Sequence, residues 1–176
     1  MASWAHLAGR FVRAHRPGPL SAADRAFVAE ALTPAELSLW ERLPRHDHHH
    51  TVEVARRVEG ALAGTAHAGD SRWLAAALLH DIGKLQSGLG IYGRVVATLA
   101  GRARPGRADA WRGQAGWRRR IGDYLRHDLI GGEMLREAEG RPEPAHWAEA
   151  HHGRVPVDPA IVPGPVAAVL AEADPD

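Results

Sequence analysis

The sequence predicts an all-α fold, a single-domain helical bundle, on three observations. Apolar residues recur at three- and four-residue spacing, the pattern of helices with one buried face. Helix punctuation bounds these stretches: Ser21, Thr33-Pro34 and Asp70-Ser71 stand at starts, and clusters such as Arg16-Pro17-Gly18-Pro19 stand between them. At 176 residues the chain has the length of one domain with a substantial core. Within that domain, residues 1–45 are expected to pack as N-terminal helices on a helical unit spanning 46–176.

Each element has its own warrant. Trp4, Leu7, Ala8 and Phe11 give residues 2–15 an apolar stripe. It reads as a helix packed on the domain, with a membrane-surface helix as the sharper alternative. Ser21 caps a helix through Leu32, and Thr33-Pro34 opens another with Leu37 and Trp40 on its apolar face. In the next helix His50 heads the stripe Val54, Val58, Ala61 and Leu62, whereas His49 falls above Glu53 and Arg56 on the wet face. His46 and Asp47 sit one turn before His50, within reach of the same place. A loop from Gly64 to Asp70, holding a solvated His67, leads to a helix with Leu74, Ala77, Leu78 and Asp81 on one stripe. Gly83 is expected to end it. Ile91, Val95, Val96 and Leu99 make a short apolar helix. From Arg94 to Arg126 nine arginines face Asp109 and Asp123, with glycines and Pro105 interrupting. This segment reads either as a solvated loop or as a basic wall that attracts phosphate. His127 then shares a stripe with Ile130, Met134 and Ala138. Gly131-Gly132, poor helix formers, imply close approach of another backbone or a break just after His127. A helix starting near Pro142 runs to His151-His152, and the last turns Val166, Ala167 and Leu170 inward, with Asp174 extending the stripe.

Composition narrows the function classes. The formal net charge is +1, so no global field points to a nucleic-acid coat. There is no cysteine, which excludes disulfides and thiolate metal sites. No apolar run reaches the length of a membrane span, and the N-terminus lacks the apolar core of a secretory signal. A cytoplasmic protein is the expectation; the oligomeric state is open. Twelve histidines are many, and Lys84 is the single lysine.

The ordered set His50, His80, Asp81, His127, His151, His152 and Asp174 falls at or near helix ends, mostly on inward stripes. A carboxylate on a core face is costly unless paired or bound to a metal, and Asp81 and Asp174 both fall on such a face. Imidazole and carboxylate donors without sulfur fit Mn, Fe, Co, Ni, Zn or Mg. Such a site in a bundle lowers the pKa of bound water, and two ions sharing one carboxylate would clamp a phosphate.

The stretch Leu78-Leu79-His80-Asp81-Ile82-Gly83-Lys84 resembles the name-giving motif of the HD-domain metal-dependent phosphohydrolases in its HDIG form. His50-Thr51-Val52-Glu53-Val54-Ala55 resembles that family's first-histidine motif, and Ala171-Glu172-Ala173-Asp174 the segment ending in its last aspartate. The likeness implies a helical domain in which His50, His80, Asp81 and Asp174 hold the first divalent ion and Asp81 bridges to a second. His127 and His151 resemble the extra ligands of binuclear members; His152 and His46 are further candidates. Lys84 resembles the lysine that contacts phosphate or assists the leaving group. Together these imply hydrolysis of a nucleotide or other small phosphoester by a metal-bound hydroxide. In the cyclic-di-GMP branch a Gly-Tyr-Pro element should follow the His-His pair; here the chain reads Gly153-Arg154-Val155-Pro156, which argues against that substrate. The competing reading is a non-catalytic module on the same fold that binds a metal, a nucleotide or a protein partner.

Overall fold

Ser21 accepts the amide of Asp24 and opens α1 (Ala22–Ala31), and Thr33 with Glu36 forms a reciprocal capping box at the start of α2 (Pro34–Trp40). A computed structural model describes residues 18–174; the amphipathic stretch at residues 2–15 lies outside the described residues. Among those described, every regular element is a helix. The others are α3 (Arg45–Leu62), α4 (Ser71–Leu79), α5 (Lys84–Ser87), α6 (Ile91–Ala103), α7 (Ala108–Arg112), α8 (Gly116–Leu125), α9 (His127–Glu137), α10 (Pro142–Ala150) and α11 (Gly164–Ala173).

The core forms where the apolar stripes meet. Val54, Val58 and Leu62 of α3 pack with Trp73, Leu78 and Leu79 of α4, Trp147 of α10 and Leu170 of α11. Phe27, Val28 and Trp40 from α1 and α2 join this same core. Glu36, fully buried, accepts from the guanidinium and backbone amide of Arg141 and so ties α2 to the start of α10. A second, smaller core of Leu89, Ala97 and Ile121 lies under α6, α7 and α8. Arg94 of α6 fixes that part to α3 through a two-pronged bond to buried Asp47, at 2.6 and 2.7 Å.

Four expectations need correction. The segment from Arg94 to Arg126 is mostly helical, forming the rest of α6 with α7 and α8, and is not a loop. The helix over Ile91, Val95, Val96 and Leu99 forms, but Val95, Val96 and Leu99 are 48%, 42% and 58% exposed. Ala61 is exposed at the end of α3 rather than inward. Gly83 does not end α4, which stops at Leu79; with φ −65° it precedes α5 instead. Its physical reason is contact. A Cβ there would stand 1.9 Å from the His127 carbonyl oxygen and 2.6 Å from the Gly131 amide nitrogen. The glycines Gly83 and Gly131 therefore let the α4–α5 turn cross α9 backbone against backbone. Of the two alternatives for Gly131-Gly132, the close approach of a backbone holds at Gly131, whereas Gly132 lies against the Glu149 side chain, and α9 runs through both.

Candidate metal centre

Helix ends deliver the donors. His80 follows the last residue of α4, His127 opens α9 directly after α8, His151 follows α10 and Asp174 follows α11. His50 comes from the body of α3, on the same face as Val54 and Val58. His49, on another face, places its Nε2 2.9 Å from the Gly18 carbonyl oxygen.

Three imidazoles are oriented alike. Nδ1–H of His80 donates to the Ala77 carbonyl at 2.8 Å, that of His127 to Tyr124 at 2.7 Å, and that of His151 to Ala148 at 2.8 Å. A carbonyl only accepts, so Nδ1 carries a proton in each ring and Nε2 is the atom turned inward. These carbonyls belong to the last turns of α4, α8 and α10, where helices leave acceptors unpaired and carry partial negative charge.

Asp81 stands between two donor groups. His50, His80 and Asp174 form one, and His127, His151 and His152 the other, with ligand atoms within 4.8 Å inside each. Asp81 Oδ2 lies 3.4 Å from His80 Nε2 and 3.8 Å from His50 Nε2. Its Oδ1 lies 3.1 Å from His127 Nε2. Asp174 reaches His80 at 3.1 Å and His50 at 3.4 Å. Lys84 donates to Asp81 Oδ2.

The residues fit a divalent ion on three grounds. Nε2 atoms facing carboxylate oxygens at 3.1 Å need a cation between them, a proton or a metal ion, and the site gathers several such pairs around one carboxylate. Ligand atoms about 2.1 Å from one ion lie about 3.0–3.4 Å apart at right or tetrahedral angles, and four of the five separations above fall in that range, His50 to Asp81 at 3.8 Å being the wider one. The Nε2 atom of His151 is buried without a hydrogen-bond partner among the described residues, an arrangement a protein rarely tolerates for a group with no function.

Electrostatics agree. Burial would press the His80 pKa down, but Asp81 and Asp174 outweigh it and lift it to about 10, marking a pocket that draws positive charge. His151 is driven to about 2 by burial and then by His80, His152 and His127, which keeps it a neutral donor. Burial also opposes ionisation of Asp81, yet His80, Lys84 and His127 hold its carboxyl well below the usual range. Burial pulls the Lys84 pKa down, but Asp81, joined by Tyr124 and Asp47, leaves it raised.

Of the sequence candidates, the structure brings together His50, His80, Asp81, Asp174, His127, His151 and His152, with Lys84 on Asp81. His46 stands outside both groups, its Nε2 3.3 Å from Asp47. Sequence reasoning passed over several supporting residues. Asp128 is fully buried beside His127 and paired with Arg154. It lies on the stripe of Gly131, Gly132 and Leu135, so the rule that picked out Asp81 would have found it. Arg57 of α3 donates to the Ala173 carbonyl at 3.0 Å and pins the turn that presents Asp174; no local pattern announces that contact.

A cleft of about 590 Å³ opens beside the second donor group, lined by Lys84, Tyr124, His127, His152 and four arginines. Among the described residues no helix is long and apolar enough to cross a membrane. The family model of the HD domain matches residues 48–174, and the chain belongs to that family of metal-dependent phosphohydrolases, whose members bind divalent metals. No curated protein and no solved structure matches the chain.

Proposed function

We propose that this HD-domain chain hydrolyses small phosphoesters, nucleotides foremost, with one or two divalent ions held by its two donor groups. His50, His80, Asp81 and Asp174 would hold the first ion, and His127, His151 and His152, with the other oxygen of Asp81, the second. The observation that carries the reading is Asp81: one buried carboxylate turns one oxygen to each group and carries the single lysine on it.

A bound divalent ion supplies Lewis acidity, lowering the pKa of water and offsetting charge on phosphoryl oxygens. The chain's residues do the rest. The carbonyls of Ala77, Tyr124 and Ala148 fix the tautomers of His80, His127 and His151, so their lone pairs need no reorganisation. Lys84 lines the cleft and stays protonated beside Asp81, so its ammonium can donate to a phosphoryl oxygen arriving from that side. Asp128 holds Arg154 at the cleft wall, where the guanidinium adds a fixed positive charge. Burial of His80 and Asp81 keeps bulk water from competing for the donors.

The test is elemental analysis combined with a phosphoester panel in Mn, Co, Ni and Mg. Multiple turnovers are expected, with both metal content and turnover lost in His80→Ala. Absence of hydrolysis, together with unchanged metal content in His80→Ala, would sink the proposal. Ligand-induced stabilisation without turnover would give the fold a binding role instead.

A further inference from the structure

We infer that the cleft beside His127 and His152 holds a second phosphoryl group of the substrate, so that the protein favours phosphoesters with two or more phosphates over monophosphates. The inference rests on the hydrolase reading above and names its substrate class.

Three observations carry it. The first is size. At about 590 Å³ the cleft falls within the roughly 300–1,000 Å³ that encloses a whole small ligand, so it has room for much more than the reacting phosphoryl group. The second is charge. Lys84, Arg102, Arg104, Arg126 and Arg154 all line it, and no aspartate or glutamate is among the described residues that do. Three of the five are matched by carboxylates behind the lining, which leaves the hollow with the net charge of Arg102 and Arg104, a cost that an anion there would relieve.

The third is how those cations are engaged. Lys84 is held by Asp81, Arg154 by Asp128, and Arg126 by Asp109 through two bonds of 2.6 Å. For Arg102 and Arg104, at the end of α6, no carboxylate among the described residues lies within 4.0 Å. The lysine and the histidines mark the reacting end. Arg102 and Arg104 come from α6, which contributes no donor to the metal centre, so what they hold is a different group from the one being cleaved. Two guanidiniums match the charge and the forked acceptor geometry of one phosphoryl dianion.

The experiment compares a nucleoside 3′,5′-bisphosphate with the 5′-monophosphate of the same nucleoside, using metal-loaded full-length protein. The wild type should prefer the bisphosphate in kcat/KM by about tenfold or more, the scale of one charge-assisted contact. Arg102→Ala/Arg104→Ala should collapse that preference, chiefly through KM. Arg118→Ala removes an exposed arginine outside the cleft and should keep the preference, which separates a built subsite from a general positive field. Equal preference in the wild type, retention in the double variant, or equal loss in Arg118→Ala overturns the inference. If no phosphoester is turned over at all, the hydrolase reading fails, and calorimetry with inorganic tripolyphosphate still decides the cleft. Binding weakened about tenfold or more in the double variant supports it, and an unchanged Kd overturns it.

Discussion

A single methyl group at Gly83 tests how the centre is assembled. The added Cβ would stand 1.9 Å from the His127 carbonyl oxygen, whereas real Cβ contacts essentially never fall under 3.0 Å. The two backbones must therefore separate by about 1.1 Å at least. Both near atoms are main chain, so no side chain can swing away. Overpacking costs about 1–3 kcal/mol, and a forced backbone shift belongs at the upper end. For a domain of this length each kcal/mol moves Tm by about 2–4 °C, so Gly83→Ala should melt roughly 6–12 °C lower. Because the same shift carries His127 off Asp81, now 3.1 Å away, activity should fall about 100-fold, the usual cost of a 1 Å misplacement. Thermal unfolding followed by circular dichroism, with turnover on the same preparations, is the assay. Gly60→Ala is the control of opposite sign. A Cβ there meets nothing within 4 Å, and alanine in a helix should stabilise by about 0.5 kcal/mol. If Gly83→Ala melts with the wild type, the crossing does not hold the centre together.

Asp81→Asn keeps the shape and removes the charge; metal content measured at both donor groups should fall together, with affinity down by at least about 100-fold. Glu36→Gln leaves Arg141 without its buried partner and should cost about 3 kcal/mol in urea unfolding. Burial opposes ionisation of Glu36, but the Arg141 guanidinium and the Thr33 and Arg141 amides hold its pKa below the usual 4.5. That contribution is therefore fully present above 4.5 and lost as pH falls through the folded value, so Glu36→Gln should flatten the acid limb of the stability curve. Arg57→Ala frees the Ala173 carbonyl and loosens Asp174. Metal affinity at the first donor group should drop about tenfold while the second is unmoved, as competition with a chelator would register.

The parts of the site legible in the sequence are those that follow from helix periodicity. It separated His50 from His49 and placed Asp81 and Asp174 on inward faces, because a stripe reports which side of a helix meets the core. What periodicity does not report is what covers a stripe. The spacing of Val95, Val96 and Leu99 gives a helix, yet the residues stand in solvent. Local grammar also misassigned Gly83, since a glycine after an apolar helix usually provides a left-handed cap, and its actual cause is a neighbour 44 positions away in the chain at His127. The arginine contacts escaped for the same reason. Arg94 meets Asp47 at a separation of 47 residues, Arg141 meets Glu36 at 105, and Arg57 meets Ala173 at 116.

The histidines link stability to metal binding. A helix leaves its last carbonyls unpaired, and at α4, α8 and α10 an imidazole Nδ1–H occupies one of them. The bond that caps the helix also fixes the tautomer, so capping and ligand orientation are one interaction. The three helix ends additionally aim their negative poles at the donor groups, which favours a cation there. His151 separates the consequences, because it is neutral and its Nε2 has no hydrogen-bond partner among the described residues. If it were only a ligand, His151→Ala would leave the metal-free Tm unchanged or raise it by relieving a buried unpaired nitrogen. If it is also a cap, the loss of its bond to Ala148 should cost about 1 kcal/mol, or roughly 2–4 °C, before any metal is added. With metal at 100 times its Kd the wild type should gain about 2.7 kcal/mol, and the variant should gain less. Differential scanning fluorimetry with and without chelator reads both quantities. A metal-free variant as stable as the wild type would remove the capping role and leave only the ligand.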